Sequence, residues 1–284
     1  MHIGSADSNF KTWNNIAENS ILVSVDGNNS SVNTRNNFKK VIDQQVIISN
    51  KNGVGKFYLT HDPNCSSLLE PDKSTHENWY FSHRFKIKKI QKKKIYSLNN
   101  FLKSKKINYI DWFVTDVQGK DLEIIKSLKK NIRDKISIID IEAGFLSFYK
   151  KQDKISEVFR YMSKSYNFEN MEFGYNYRLS SKILNKLEKK ILFRYNKPSK
   201  VYSNIIFTNK KKNIERINLI KLIYLVEHNK IFEAKQLVKN ISKKNLFYKE
   251  ILKELEFIIK IHKFKFLILS PFLLIKKFLY KIFK

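Results

Sequence analysis

Four short polar segments stand where a chemically active edge of a protein would carry its functional groups. Each follows a short apolar run, and in chain order they are Gly4-Ser5-Ala6-Asp7, Asp26-Gly27-Asn28, Thr115-Asp116-Val117-Gln118-Gly119 and Glu142. A small turn after a first strand lets the backbone approach a ligand, and an acid that ends a second strand can accept both hydroxyls of a ribose. Because ligands of open α/β sheets bind at the carboxyl ends of the strands, the ordered set predicts a ligand site at that edge.

Each of these acids also has an ordinary structural interpretation. An Asp that follows a strand is often the cap of the next helix, so Asp116 is either a catalytic group or a cap for residues 119–128. Asp26 is either a ribose ligand or a solvated strand end, and Glu142 is either a ligand or a structural acid. The residues alone leave these alternatives open.

The histidines and the single cysteine add one further candidate. His61 follows an apolar run and is an alternative base, although a lone histidine in a loop is more often only exposed. His61, His76 and His83 do not have the spacing of metal ligands. Cys65 is the one cysteine, which excludes a disulfide and a cysteine-based zinc site. We therefore expect no required metal.

Alternating strand and helix patterns would position these groups. Apolar strands are predicted at residues 1–3, 21–25, 109–114 and 136–141, with closing strands at 171–173 and 202–208 around a helical insertion. Helices are predicted at 97–102, 120–129 and 155–166. This order predicts an α/β fold with a mainly parallel, Rossmann-like sheet and helices on both faces.

The intervening segments carry three further predictions. Residues 34–43 have the apolar spacing of a helix with Val41 and Ile42 inward. Two apolar runs at 46–48 and 56–59 flank a glycine-containing turn, which is typical of a hairpin. The lysine-rich run at 86–95 predicts a strand whose solvated lysines protect a sheet edge.

Several motifs resemble those of a known family. The run from Asp116 to Lys126, DVQGKDLEIIK, is similar to the motif D-V-[EQ]-G-x-E-L-x-V-L-K of the FkbM-type S-adenosylmethionine-dependent methyltransferases. Four other segments follow in the family's order, namely His2-Ile3-Gly4-Ser5, Val25-Asp26, Cys65-Ser66-Ser67-Leu68, and Ile141-Glu142 with Phe148-Tyr149-Lys150-Lys151-Gln152. The resemblance covers about residues 1–208.

The resemblance implies a Rossmann-like methyltransferase sheet, S-adenosylmethionine as cofactor, and methyl transfer to a hydroxyl, commonly of a saccharide or a surface-glycan precursor. Asp116 is then the expected base or hydroxyl-orienting group, with His61 as the alternative. The resemblance implies cofactor-binding roles for Gly4, Ser5, Asp26, Ser67 and Glu142. A saccharide or another hydroxyl-bearing acceptor is the expected partner.

The chain departs from the family pattern at five positions. Where the family usually has an acid, a second glycine, Lys, Glu and Pro, this chain has His2, Ser8, Thr115, Asp121 and Asp153. A non-catalytic scaffold with a degenerate methyltransferase fold is therefore an alternative function.

The pattern changes after a predicted methyltransferase domain at residues 1–209. The apolar spacing of residues 210–262 predicts a helical appendage. Residues 263–284 contain six lysines and no acid, which predicts a basic amphipathic tail. The apolar run in this tail has ten residues, whereas a bilayer-spanning helix needs about twenty. Such a tail is typical of an interfacial anchor, so an anionic membrane surface is an expected partner, with docking on a protein as the alternative.

The net charge of +29 raises the question of nucleic-acid binding. Only seven of the 55 basic residues are arginine, the residue preferred for bidentate phosphate and base contacts. No RNA-binding motif with stacking aromatics is present, so RNA binding or modification remains an alternative that we do not favour. No secretory signal is visible, and we expect a cytoplasmic protein, peripheral on the inner face of the cytoplasmic membrane.

Overall fold

A computed structural model describes residues 1–5, 10–27, 37–178, 186–211, 214–241 and 248–261. The chain divides into two units, Met1–Ile217 and Asn218–Lys284. The predicted basic tail at 263–284 lies outside the described residues, as do Ala6, Asp7 and Asn28 of the predicted strand-end segments. In the described part of the chain, no helix is long and apolar enough to cross a membrane.

Ten strands are present in the described residues. They are β1 (His2–Ile3), β2 (Ile21–Asp26), β3 (Lys40–Gln45), β4 (Ile47–Ser49), β5 (Gly53–Thr60), β6 (Ile87–Ser97), β7 (Trp112–Thr115), β8 (Ile138–Gly144), β9 (Tyr166–Asn176) and β10 (Ser199–Asn209). Seven of them form one sheet in the order β3-β2-β1-β7-β8-β10-β9, and β4, β6 and β5 form a second, smaller sheet in that order.

The helices of the described residues alternate with these strands. They are α1 (Lys73–His76), α2 (Leu98–Ser104), α3 (Asp121–Ser127), α4 (Lys130–Arg133), α5 (Ile155–Met162), α6 (Lys186–Tyr195), α7 (Glu215–Glu227) and α8 (Ile231–Ile241), and residues 248–261 are also helical. In the connections that the structure describes, the 3₁₀ helices are Phe10–Asn19, Pro63–Cys65 and Tyr80–Phe85.

The large sheet is parallel from β3 to β8, whereas β10 runs antiparallel to both of its neighbours, β8 and β9. From β1 the chain builds outward to β2 and β3, and it later returns to build β7 and β8 on the other side. The gap between β1 and β7 is therefore the switch point of the sheet, where open α/β folds bind their ligands.

The two faces of the large sheet are covered differently. Ile3, Phe113 and Ile139 point to one face and form a buried core with residues of α2, α3 and α5. On the opposite face, Trp13 of the first 3₁₀ helix packs edge-on against Trp112, with 5.8 Å between the ring centroids. The expected Rossmann-like sheet with helices on both faces is confirmed.

For two of the connecting segments, the strands were predicted correctly but their neighbours in the sheet were not. The runs at 46–48 and 56–59 do form strands β4 and β5, but they do not form a hairpin because β6 lies between them. The lysine-rich run is a strand as predicted, but β6 is the central strand of the small sheet and not an edge. Local turn chemistry cannot reveal that Ile47 of β4 pairs with Ile95 of β6, which lies far along the sequence.

The predicted helix at 34–43 is also wrong where the structure describes it. Residues 40–45 form β3, the parallel edge strand beside β2, with Val41 opposite Leu22. Val41 and Ile42 are β-branched and fit a pleated, half-buried surface better than a helix. Residues 34–36 of that prediction lie outside the described part.

The second unit is helical where it is described. Ala234 and Val238 of α8 and Leu255 and Ile259 of the following helix are buried, so apolar contacts supply its core. Lys235 and Glu256 form an ion pair of 3.0 Å within this unit.

Candidate functional site

The turn after β1 requires glycine. Gly4 has a φ of +79°, and a Cβ atom at this position would lie 1.7 Å from the carbonyl oxygen of Asp116. Its N–H donates to the carbonyl of Val25 at 2.8 Å, and the buried hydroxyls of Ser5 and Ser24 are 2.7 Å apart. The turn is therefore in direct contact with the loop that follows β7, across the switch point of the sheet.

The loop after β7 is organised by the buried carboxylate of Asp121. Its Oδ1 accepts from the hydroxyl of Thr115 and the N–H of Val117, both at 2.9 Å, and its Oδ2 accepts from the N–H of Gly119 at 3.2 Å. Gln118 and Gly119 have φ angles of +60° and +104°, which is left-handed backbone. Three hydrogen bonds to one carboxylate fix this tight turn at the start of α3.

Burial makes Asp121 an unusually weak acid. Removal of the carboxylate from water, together with the nearby charge of Asp116, raises the pKa of Asp121 from 3.8 to about 7. The three hydrogen bonds act in the opposite direction, because they stabilise the charged form. The residue is therefore poised between its two protonation states near neutral pH.

The side chain of Gln118 joins the ends of β7 and β8. Its Nε2 donates to Oδ1 of Asp116 at 2.5 Å and to Oε2 of Glu142 at 3.2 Å. Its Oε1 accepts from the hydroxyl of Tyr149 at 2.8 Å, and its backbone carbonyl accepts from the hydroxyl of Ser67 at 2.8 Å. One amide side chain thus holds two carboxyl groups at the edge where the parallel strands end.

The surroundings of Glu142 disfavour its charged form. Burial, the neighbouring charge of Asp116 and a hydrogen bond to Asp116 raise the pKa of Glu142 well above its usual range. The environment of Glu142 therefore favours its neutral, protonated form. A carboxyl group in this form can donate a hydrogen bond, and the oxygens of the neighbouring carboxyl group can accept one, so this edge offers both functions.

A cleft opens beside this pair. Residues from several elements line it, namely Gln118, Gly119, Asp121, Glu142, Gly144, Phe148, Tyr149, Gln152 and Tyr202. Its aromatic wall is held from behind, because the rings of Phe81 and Phe85 lie 5.3 and 5.4 Å from that of Phe148. The Tyr149 hydroxyl is also 2.8 Å from the carbonyl of Cys65, which ties the wall to the segment after β5.

The structure brings most of the site residues predicted from the sequence to one edge. Gly4 contacts Asp116, and Gln118 links Asp116, Glu142 and Ser67. Ser5 is buried just after the β1 turn. Asp26 is the last residue of β2, one position beyond the Val25 carbonyl that accepts from the glycine turn.

His61 lies apart from the residues that line the cleft. It follows β5 in the small sheet, its side chain is exposed, and its backbone N–H donates to the carbonyl of Lys86 at 2.9 Å. Within the ranges that the structure describes, no group of three or more His, Cys, Asp or Glu side chains is arranged to hold a metal ion.

Of the nine residues that line the cleft, only Glu142 was predicted as a site residue from the sequence. Gln118, Tyr149 and Gln152 stand inside the motif segments that carry the family resemblance, so a signal was present for them. Tyr202 had none, because it reaches the cleft only through the pairing of β10 with β8, which places it opposite Gly144.

The large sheet is Rossmann-like, and its antiparallel strand β10 lies between β8 and β9. This strand order is that of the methyltransferase class, and the carboxyl pair lies at the edge where the parallel strands end. The family model described as Methyltransferase FkbM domain matches residues 2–177, which is more than half of the chain. The chain therefore belongs to the FkbM methyltransferase family, and the predicted resemblance is confirmed. No curated protein and no solved structure matches the chain.

Proposed function

We propose that this methyltransferase uses S-adenosylmethionine and methylates a hydroxyl oxygen of a saccharide, such as a surface-glycan precursor. The observation that carries the proposal is the carboxyl pair of Asp116 and Glu142, which the Gln118 side chain bridges beside a cleft with an aromatic wall. A hydroxyl acceptor needs a proton acceptor within reach, and the apolar face of a sugar ring needs an apolar wall.

The described residues fit this cofactor. When bound, S-adenosylmethionine supplies a methyl group that is already activated by the positive charge on its sulfur. Gly4 lets the turn after β1 lie directly against the Asp116 backbone at the switch point, because a Cβ atom there would overlap the Asp116 carbonyl, and we assign this turn to the cofactor. Asp26 ends β2, where an acid can accept from ribose hydroxyls. Ser5, Ser67 and Glu142 are the further residues that we assign to the cofactor.

The acceptor side falls to Asp116. Its carboxylate takes the proton of the acceptor hydroxyl or orients that hydroxyl by accepting a hydrogen bond. Gln118 holds this carboxylate in place through the 2.5 Å bond to Oδ1, and the raised pKa of Glu142 disfavours a second negative charge beside it. Phe148, Tyr149 and Tyr202 form the apolar surface against which a sugar ring packs.

Calorimetric titration tests the cofactor part of the proposal. We expect the folded chain to bind S-adenosylhomocysteine with micromolar affinity and Asp26→Ala to weaken binding at least about tenfold through the lost ribose contacts. Asp43→Ala on the neighbouring edge strand removes an equal charge and is the matched control, with unchanged binding. Absence of binding by a wild type that unfolds cooperatively would refute the proposal and favour the scaffold alternative.

Transfer of a radiolabelled methyl group tests the acceptor part. We expect label in nucleotide-linked or lipid-linked saccharides, and a decrease of at least about a hundredfold in kcat for Asp116→Asn with cofactor affinity retained. His61→Ala is the control for the alternative base, and it should leave kcat unchanged. Transfer of the methyl group to RNA but not to saccharides would contradict the proposed acceptor class. Loss of activity in His61→Ala would assign the role of base to His61 instead of Asp116.

A further inference from the structure

Helix α6 emerges from the edge of the sheet that carries the cleft. Strands β8 and β9 are both antiparallel to β10 and therefore run in the same direction. Tyr202 pairs with Gly144 on one side and with Gly174 on the other, so β9 ends beside the end of β8. The insertion that contains α6 therefore leaves the sheet and returns to it at the cleft edge.

Aromatic contacts attach α6 to the wall of the cleft. The ring of Phe193 lies 5.4 Å from that of Tyr80 and 5.0 Å from that of Tyr177, measured between centroids. The backbone N–H of Tyr80 donates to the carbonyl of Tyr177 at 3.0 Å. Tyr80 begins the 3₁₀ helix whose Phe81 and Phe85 support the aromatic wall.

A second apolar stripe on α6 points away from these anchors. Leu187, Ile191 and Tyr195 are spaced at i, i+4 and i+8 and therefore share one face of the helix. Their exposed fractions are 66%, 47% and 71%. Three large apolar side chains in a row on one exposed helix face mark an interaction surface rather than scattered surface residues.

The charges around the stripe have one predominant sign. The ten residues of α6 contain four basic side chains and one acid, and Lys190 and Arg194 are exposed beside the stripe. Lys197 and Lys200 continue the positive charge after the helix. A partner for this surface must accept apolar side chains and supply negative charge. A second copy of the same helix fails the second requirement, because it would bring like charges together.

We propose that α6 lies in the surface of an anionic lipid bilayer, with its apolar stripe in the acyl boundary and its basic residues at the headgroups. An amphipathic helix with basic flanks binds such a surface by apolar burial and charge attraction together. Long basic side chains reach the headgroups while their stems stay against apolar groups. The consequence of this contact rests on the proposed function. If the acceptor is a saccharide carried on a lipid, a bilayer-bound α6 would bring that saccharide next to the cleft.

Site-specific labelling tests the contact of α6 with lipid. Cys65 is the one cysteine of the chain and is 5% exposed, so a cysteine introduced on the surface reacts selectively. Tyr195→Cys carries an environment-sensitive fluorophore, and Phe232→Cys on α8, where Phe232 is 67% exposed, is the matched control. With vesicles containing about one third phosphatidylglycerol, we expect a blue shift and quenching by acyl-chain quenchers at 195 only.

A stripe variant of the full chain measures the affinity. Replacing Leu187, Ile191 and Tyr195 together by Ser should lower vesicle partitioning at least about tenfold, and pure phosphatidylcholine vesicles should bind the wild type weakly. An aqueous fluorophore at 195 on vesicle-bound protein, unchanged partitioning of the stripe variant, or a stripe-dependent dimer in light scattering would each overturn the proposal.

Cofactor titration separates this inference from the proposed function. The stripe variant should bind S-adenosylhomocysteine like the wild type while losing vesicle affinity, because α6 does not line the cleft. A chain that binds vesicles through α6 but binds no cofactor would retain the bilayer contact and refute the proposed methyl donor.

Discussion

Substitution of Asp121 by Asn should make the stability of the variant relative to the wild type depend strongly on pH. The pKa of Asp121 in the folded chain is about 7, against an ordinary value of 3.8. The native state therefore binds the proton more tightly than the unfolded state. The stability that this group contributes is fully present below about pH 4 and is lost as the pH rises through 7. An amide cannot titrate, so the variant lacks this loss.

The magnitude follows from the size of the pKa shift. A shift of about three units, at about 1.4 kcal/mol per unit, corresponds to up to about 4 kcal/mol of unfolding free energy between pH 4 and pH 8. The amide keeps an oxygen for Thr115 and Val117 but places a donor against the N–H of Gly119, which costs about 1 kcal/mol. We expect the variant to be about 1 kcal/mol less stable at pH 4 and up to about 3 kcal/mol more stable at pH 8.

Urea unfolding of both proteins at the two pH values measures this difference. A relative stability that changes by less than about 1 kcal/mol between pH 4 and pH 8 would refute the reasoning and show that the three hydrogen bonds outweigh burial. Thr115→Val is a companion variant. It removes one donor from the carboxylate, so it should raise the pKa of Asp121 further and move the pH dependence to higher pH.

Two further expectations concern the turn after β1 and the small sheet. Gly4→Ala should cost at least about 3 kcal/mol of unfolding free energy or abolish soluble expression, because its Cβ would overlap a backbone carbonyl in left-handed backbone. Gly53→Ala, where a Cβ meets no atom within 4 Å, should cost about 1 kcal/mol, and equal urea midpoints would contradict this account. Lys92→Glu should stabilise the chain by about 0.5 kcal/mol, since Lys92 stands directly opposite Lys56. Lys94 stands opposite Val54, so Lys94→Glu should raise the free energy of unfolding by less. If the stabilisation by Lys92→Glu persists in high salt, its cause is not electrostatic.

The parts of the fold that were predictable are those that short-range patterns determine. The strands at 21–26 and 138–144 are mostly apolar, with two polar residues each, and the helix at 121–127 follows from apolar spacing alone. Residues 40–43 were predicted as part of a helix because two β-branched residues next to one another fit either period over so short a run. The pairing of β4 with β6 depends on residues far apart in sequence, and a local turn signal pointed to the wrong partner.

The residues of the site were likewise predictable only where short-range patterns determine their positions. The positions of Asp116 and Glu142 at one edge were predictable, because each comes directly after an apolar run that forms a strand of the same sheet. The role of the Gln118 side chain was not, because it depends on a left-handed turn and on where Tyr149 comes to lie. Tyr202 depends on the antiparallel strand that closes the sheet, so only the assembled sheet places it at the cleft.

The buried position of Cys65 protects its thiol from oxidation and alkylation. Burial raises the pKa of this thiol to about 12, so almost none of it is thiolate at physiological pH. Thiolate is the species that peroxides, disulfides and alkylating agents attack. The segment beneath the aromatic wall therefore has no redox-sensitive group, and we expect the cleft to keep its shape under oxidative stress that would inactivate an enzyme with an exposed cysteine.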